Sequence, residues 1–127
     1  MTDRGDIETL LHGLYAARVK GDLSGVLDAF GPHAKFEILG ASNATPISVI
    51  ALGIDEFRPW LTLMMKTFRV TDHVTLSMLM DGENAAVHWR ARVGSKITGA
   101  AVLTEFVDLI RIEGGRIASY TELFVPR

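Results

Sequence analysis

The chain has 127 residues, of which 48% are hydrophobic and 22% charged, as expected for one packed domain. Thirteen Lys and Arg against fifteen Asp and Glu give a net charge of -2, which argues against nucleic acid as a partner because phosphate binding needs concentrated positive charge. With no cysteine, disulfides, thiolate catalysis and zinc–thiolate sites are excluded. The N-terminus lacks the apolar run of a secretory signal, and no apolar stretch approaches the about 18 residues of a membrane helix. We therefore expect a soluble cytoplasmic protein that binds no membrane.

The first half of the sequence predicts three helices. Apolar residues recur at three- and four-residue steps in Asp6–Lys20, the period of an amphipathic helix, and Gly21 is a natural stop. Asp22 can cap a short second helix over Leu23–Phe30. Asp55–Phe68 predicts a third helix with one apolar stripe.

Two strands are expected between the second and third helices. His33–Leu39 alternates between apolar and polar residues, which indicates a half-buried strand, and Ile47–Leu52 is a short apolar strand candidate. Gly40–Pro46 between them is small and polar, so we predict a loop there.

A hairpin is predicted next. Val74–Met80 and Ala85–Val93 flank the turn sequence Asp81-Gly82-Glu83-Asn84. Pairing Asp81 with Asn84 separates an apolar face from a polar one. The predicted apolar face holds Val74, Leu76, Met78, Met80, Val87, Trp89 and Ala91. The predicted polar face holds His73, Thr75, Ser77, His88, Arg90 and Arg92.

A second hairpin is predicted for Gly99–Ile112 and Arg116–Val125, around Glu113-Gly114-Gly115. Both of its faces are largely apolar, which in so short a chain suggests helices on one face and a second subunit on the other. We therefore expect an α+β domain with its helices laid on one face of an antiparallel sheet, and a homodimer formed through the other face.

The turn of this second hairpin decides which residues share a face. In the interpretation we favour, a three-residue loop ending at Gly115 places Asp108 opposite Tyr120 and Glu122 on the same face. A two-residue Gly-Gly turn would instead place Asp108 opposite Thr121, with Glu122 on the other face.

Two strings of residues resemble a known family. Residues 15–27, Tyr-Ala-Ala-Arg-Val-Lys-Gly-Asp-Leu-Ser-Gly-Val-Leu, are similar to the first helix, Gly-Asp turn and second helix of SnoaL-like and ketosteroid-isomerase-like proteins. Residues 106–117, Phe-Val-Asp-Leu-Ile-Arg-Ile-Glu-Gly-Gly-Arg-Ile, resemble their last hairpin. These proteins belong to the nuclear-transport-factor-2-like superfamily. The resemblance implies that residues 1–127 form one such domain, an α+β cone in which a curved antiparallel sheet and three helices enclose a pocket.

Only one of the three catalytic positions of ketosteroid isomerase holds the matching residue type in this chain. The position of its acidic base falls on Ile38, and that of its oxyanion-hole tyrosine falls on Leu14, next to Tyr15. Its oxyanion-hole aspartic acid falls on Asp108. An epoxide hydrolase of the same fold uses Arg-x-Asp on a central strand, where this chain has Trp89-Arg90-Ala91 without the aspartate. Neither steroid isomerisation nor epoxide hydrolysis is therefore expected.

Asp108, Tyr120 and Glu122 are the predicted catalytic residues. Asp108 interrupts an apolar face, where desolvation would raise the pKa of its carboxyl group. Held neutral, it could donate a hydrogen bond to a ligand carbonyl, as an aspartic acid does in ketosteroid isomerase, with Glu122 as the base. The alternatives are a purely structural buried acid at Asp108 and a surface position for Glu122.

The predicted ligand-binding residues are Tyr15, Phe36, Ile38, Phe57, Trp60, Met64, Trp89 and Phe106. The alternative for this set is ordinary core packing. A further possibility concerns the polar face of the first hairpin: if that face were concave, His88 and Arg90 would be the catalytic pair.

Two classes of function remain. No pair of His or acidic residues has the spacing of a metal site, and no phosphate-binding or dinucleotide motif occurs, so neither a metal nor a cofactor is expected. The first class is a cofactor-free acid–base enzyme of isomerase, cyclase or dehydratase type, acting on a hydrophobic carbonyl or polyketide-like compound. The second is a non-catalytic domain that binds a hydrophobic small molecule or serves only dimerisation.

Overall fold

The computed structural model describes residues 3–42 and 45–126. The helices and strands are, in chain order, α1 Arg4–Lys20, α2 Leu23–Asp28, β1 Phe30–Ser42, β2 Thr45–Leu52, α3 Ile54–Thr67, β3 Phe68–Asp81, β4 Asn84–Ser95, β5 Ala101–Glu113 and β6 Arg116–Pro126. The strands form one curved, unclosed sheet in the order β2-β1-β6-β5-β4-β3, with the helices on its concave face. The predicted α+β fold is confirmed.

The helix ends follow local capping chemistry. Gly21 ends α1 in the left-handed conformation, with φ 73°. Asp22 caps α2, because its Oδ1 atom accepts a hydrogen bond from the Gly25 amide at 3.0 Å. α2 ends two residues earlier than predicted, since Phe30 already belongs to β1.

One pair of strands corrects the expectation of a wholly antiparallel sheet. β1 and β6 run parallel, whereas the other four pairings are antiparallel. α3 carries the chain to the far edge of the sheet at β3, and three antiparallel connections then return it to β6 beside β1. This pairing sets Phe36 beside Tyr120 and Ile38 beside Glu122.

The predicted loop over Gly40–Pro46 is wrong in its described part. Gly40 pairs with Ile47, and Ala41 pairs with Pro46, so β1 and β2 extend through this segment. Pro46 is tolerated because β2 is an edge strand. Positions 43 and 44 lie outside the described residues.

The first hairpin pairs Asp81 with Asn84, as predicted. Farther from the turn, the register shifts twice, and each shift adds one residue to β3 relative to β4. Each extra residue reverses which side chains of β3 face inward. Val74 and Leu76, predicted to be buried, are therefore 42% exposed, whereas His73, predicted on the polar face, turns inward.

The last hairpin turns on two residues instead of three. Gly114 and Gly115 both have positive φ, 58° and 79°, and Glu113 pairs with Arg116. The three-residue loop that we favoured is therefore wrong, because two consecutive left-handed glycines close the tighter turn.

A bulge at Ala118 then restores the predicted grouping of side chains. The register shifts there, so β6 contains one extra residue relative to β5. Because the extra residue reverses the alternation, Asp108, Tyr120 and Glu122 are all buried on the concave face. Asp108 lies directly opposite Glu122, and not opposite Tyr120 as predicted.

The core lies between the helices and the concave face. Phe36, Leu61, Val87, Trp89 and Phe106 are buried in one cluster, and Met64 packs half-buried against it. Large apolar side chains stay exposed on the convex face: Leu79, Leu103, Leu109, Leu123 and Val125. Among the described residues, no helix is long and apolar enough to cross a membrane.

Gly40→Ala and Gly13→Ala should change stability in opposite directions. A Cβ at Gly40 would lie 2.4–2.7 Å from three ring atoms of Phe124, so we expect the free energy of unfolding to fall by about 1–3 kcal/mol. Gly13 is an exposed helical position where a Cβ meets nothing within 4 Å, so alanine should add about 0.5–1 kcal/mol. Urea unfolding measures both changes. A Gly40→Ala variant as stable as the wild type would contradict the contact with Phe124.

Candidate functional site

A cavity of about 950 Å³ lies between the helices and the concave face of the sheet. This volume is near the upper end of the usual range for small-molecule sites. Six of the predicted ligand-binding residues line it: Phe36, Ile38, Phe57, Trp60, Met64 and Phe106. Tyr15 and Trp89 do not line it but pack behind the cavity wall, with their polar atoms turned toward Asp108.

Three polar side chains form one part of the cavity wall: Arg18, Tyr120 and Glu122. Glu122 is only 2% exposed. Arg18 reaches it from α1 and binds both carboxylate oxygens, with 2.5 Å between Nη1 and Oε2 and 3.2 Å between Nη2 and Oε1. Nη1 of Arg18 also donates to the Tyr120 hydroxyl oxygen at 3.1 Å. The wall therefore presents a bidentate ion pair beside a phenol.

Asp108 lies behind this wall and is fully buried. Its Oδ2 atom accepts hydrogen bonds from the Tyr15 hydroxyl at 2.5 Å, from Trp89 Nε1 at 2.7 Å and from the Tyr120 hydroxyl. Its Oδ1 atom has no hydrogen-bond partner among the described residues. Asp108 does not line the cavity, and Tyr120 is the member of this network that does.

The pleat of the sheet brings these groups together. Asp108 lies in the middle of β5, directly opposite Glu122 of β6. Trp89 of β4 and Tyr120 of β6 each lie two residues from the position opposite Asp108. They are therefore its diagonal neighbours on the same face, within reach of long aromatic side chains.

Burial and charge set the protonation states of the network. Burial, and then the charge of Glu122, raise the pKa of Asp108 well above its ordinary value, against the opposing charge of Arg18. Burial also raises the pKa of Tyr15 and of Tyr120. Burial alone would lower the pKa of Arg18, but the charge of Glu122 helps to raise it above the ordinary value. The site thus combines a charged guanidinium, two neutral phenols and a carboxyl group that favours its neutral form.

Arg18 is the site residue that the sequence analysis missed. Leu11, Leu14 and Arg18 follow one another at steps of three and four residues, so Arg18 continues the buried stripe of α1. A charged residue at a core-facing helical position needs a buried partner of opposite charge. This pattern in the sequence could have identified Arg18.

His73 is a second unexpected neighbour. Its ring lies 5.1 Å from that of Trp89 and 5.5 Å from that of Tyr15, between ring centroids. Burial, and next the charge of Arg18, lower its pKa. Its inward orientation depends on the irregular register of β3, which strict alternation does not predict.

The alternative site at His88 and Arg90 is not on the concave face. Nε2 of His88 lies 3.0 Å from Oε2 of Glu105, and Arg90 is exposed. Within the described ranges, no three His, Asp or Glu side chains come together as metal ligands.

Asp108→Asn and Asp108→Leu should differ strongly in stability. Asparagine keeps an oxygen for the bonds from Tyr15, Trp89 and Tyr120, so we expect a loss of about 1 kcal/mol or less. Leucine leaves three buried donors without an acceptor, at about 1–3 kcal/mol each, so we expect a loss of about 3 kcal/mol or more. Chemical denaturation measures both. A leucine variant at least as stable as the wild type would show that these bonds do not stabilise the fold.

The stability difference between the wild type and Asp108→Asn should depend on pH. Because the folded-state pKa of Asp108 is raised above its ordinary value of 3.8, the folded protein keeps a proton that the unfolded chain releases. The stabilisation by Asp108 is therefore complete below pH 3.8 and is lost as the pH rises through the folded-state pKa. The loss is about 1.4 kcal/mol per pH unit wherever the two states differ by one proton. Unfolding free energies at about pH 5 and about pH 8 test this, and a difference that does not change with pH would contradict it.

Solved structures share this fold at low sequence identity. A Bacillus subtilis protein described as a candidate isomerase has a TM-score of 0.84 at 14% identity, over 98% of this chain and 90% of its own. A Catenulispora acidiphila protein with a ketosteroid isomerase-like fold, solved in complex with trimethylamine, has a TM-score of 0.74 at 13% identity, over 89% of this chain and 82% of its own. An LEH-like epoxide hydrolase from M. tuberculosis has a TM-score of 0.74 at 13% identity, over 95% and 84%. At these identities the likeness shows the fold alone.

Sequence similarity assigns the chain to a protein family. No curated protein sequence matches this chain significantly. The SnoaL-like domain family matches residues 11–120, from the middle of α1 to Tyr120 of β6. The chain therefore belongs to the SnoaL-like domain family.

Proposed function

We propose that this protein is a cytoplasmic, cofactor-free acid–base enzyme of isomerase, cyclase or dehydratase type, and that it binds a hydrophobic carbonyl or polyketide-like compound in the cavity. The observation that carries the proposal is a buried carboxylate, Glu122, on the wall of an otherwise largely apolar cavity. Carboxylates act as general bases, and one that is fixed beside hydrogen-bond donors suits proton transfer from a carbon next to a carbonyl group.

In this proposal Glu122 accepts the proton. Its bidentate pair with Arg18 fixes the orientation of the carboxylate toward the cavity. As the proton leaves the ligand, negative charge develops on the carbonyl oxygen, and the Arg18 guanidinium offsets it. The proton then returns from Glu122 to a different carbon of the ligand, so the cycle needs no oxidant or cofactor.

Tyr120 orients the carbonyl, and Asp108 acts through Tyr120. The Tyr120 hydroxyl donates to Asp108. A neutral Asp108 can reverse this bond and donate to the Tyr120 oxygen, which frees the phenol hydrogen for a carbonyl in the cavity. Asp108 is then a positioning residue, since it does not itself line the cavity.

A non-catalytic ligand-binding protein is the second candidate. Both oxygens of Glu122 are engaged by Arg18, which leaves fewer lone pairs to accept a ligand proton. The polar cluster would then only orient a bound molecule. The two candidates differ in whether a bound ketone exchanges its protons.

Hydrogen exchange at a bound ketone tests the acid–base proposal. A thermal-shift screen of sterols, cyclic ketones and aromatic acids first identifies compounds that bind, because binding raises the apparent stability. For each ketone that binds, NMR in D₂O follows exchange of the hydrogens next to the carbonyl. We expect the wild type to accelerate this exchange and Glu122→Gln to slow it by about 100-fold or more.

Two further variants serve as controls for that experiment. Glu122→Asp keeps a carboxylate near Arg18 and should retain part of the exchange. Glu37→Gln removes a carboxylate that does not line the cavity, on the neighbouring strand β1, and should leave the rate unchanged. Binding of ketones by the wild type without exchange would overturn the acid–base proposal in favour of the second candidate.

We also expect a homodimer formed through the convex face. The exposed apolar side chains there include Leu109 and Leu123, and contiguous apolar patches usually mark contact surfaces. Light scattering at micromolar concentration should give twice the chain mass of 13.9 kDa. Leu109→Glu combined with Leu123→Glu should shift the population to monomers. A wild-type mass of 13.9 kDa would contradict the dimer.

A further inference from the structure

The cavity is more basic than the protein as a whole. Its charged lining consists of four basic residues, Arg18, Lys20, Arg69 and Lys96, and two acidic residues, Asp72 and Glu122. The whole chain has the opposite balance, with 13 basic and 15 acidic residues. Positive charge around a cleft with apolar walls raises the local concentration of anions.

Both acidic residues of the lining are already paired. Glu122 binds Arg18, as described above. Asp72 binds Arg92, with 3.3 Å between Oδ2 and Nε. Neither acid therefore neutralises the remaining basic residues of the cavity.

Lys20 and Arg69 are two basic residues of the lining that have no acidic partner among the described residues. Within the part of the chain that the structure describes, neither has an acidic partner within 4.0 Å. Lys96 also lacks an acidic partner in the described ranges, but its ammonium group is held by a hydrogen bond to the Met65 carbonyl at 2.7 Å. Lys20 and Arg69 are both exposed, so their charged groups are free to meet an anion at the opening of the cavity.

The cavity has an apolar interior and an exposed rim. Leu14, Phe36 and Phe57 are buried in the interior. Lys20 ends α1 and Arg69 lies at the start of β3, where the neighbouring lining residue Phe68 is exposed as well. A ligand that fills this cavity would therefore meet apolar walls along its body and positive charge at the rim.

We propose that the natural ligand is an amphipathic anion, with an apolar body in the cavity and a carboxylate group at the rim beside Lys20 and Arg69. This inference rests on the proposed function, whose cavity it uses, and it names the class of substrate. A neutral compound would fill the apolar interior equally well, but it would gain nothing from the two basic residues. Selectivity for the anion is therefore the property to be measured.

Decanoate and decan-1-ol test this selectivity, because they have nearly identical apolar chains and differ in the charge of the head group. Titration calorimetry gives the Kd of each compound at low and high ionic strength. At low salt we expect decanoate to bind about five- to thirty-fold more tightly, from two partly exposed charge pairs. Most of this advantage should disappear at high salt, since screening shortens the range of the attraction.

Two double variants separate the rim from the general charge of the protein. Lys20→Gln with Arg69→Gln should bring the ratio of the two affinities close to one, with the affinity for decan-1-ol unchanged within about twofold. Lys35→Gln with Arg116→Gln removes the same charge from exposed positions outside the cavity, and should keep the ratio.

Three results would overturn the inference: equal affinity of the wild type for both compounds, no binding of decanoate, or a control variant that lowers the ratio as much as the rim variant. The acid–base proposal would fail separately, by the absence of hydrogen exchange at a bound neutral ketone. The two failures are therefore distinguishable.

Discussion

A single oxygen atom, Oδ2 of Asp108, connects the helical layer to the sheet. Its three donors come from three different elements: Tyr15 on α1, Trp89 on β4 and Tyr120 on β6. Buried donors of this kind are almost always paired in folded proteins. Helix α1 therefore cannot slide along the sheet without breaking at least one of these bonds. The same register of α1 brings Arg18, one turn after Tyr15, to the carboxylate of Glu122 and so forms the polar part of the cavity wall.

The charges in this region balance only if one acid is neutral. Arg18 lies within 4.0 Å of both Glu122 and Asp108. With both acids ionised, the buried cluster would carry one excess negative charge, and desolvating an uncompensated charge costs several kcal/mol. A proton on Asp108 leaves a neutral acid beside a balanced ion pair. The protonation state of the site is therefore a consequence of how tightly the fold packs three ionisable side chains together.

The parts of this structure that depend on local chemistry could be predicted, and the parts that depend on a partner strand could not. The left-handed Gly21 and the capping Asp22 act within a few residues, so the end of α1 and the start of α2 follow from the sequence. The bulges do not, because alternation along one strand contains no information about an extra residue relative to its neighbour, and so His73 was assigned to the wrong face. In the last hairpin the predicted turn is wrong, yet the bulge at Ala118 gives the same grouping of side chains. The apolar period of α1 does not by itself identify Arg18, which is the polar residue that continues the buried stripe.

The bulge at Ala118 also affects the pKa of Asp108. The same two-residue turn in a regular hairpin would set Thr121 opposite Asp108 and turn Glu122 toward the convex face. A three-residue loop would keep Glu122 on the concave face but two residues away along the strand, or about 7 Å at the usual rise of a strand. The tight turn together with the bulge is what sets the two carboxyl groups side by side, where the charge of Glu122 opposes ionisation of Asp108. The backbone geometry at Ala118, two residues before Tyr120, thus contributes to the raised pKa of Asp108. Insertions near this turn would change the chemistry of the cavity without the substitution of any residue on its wall.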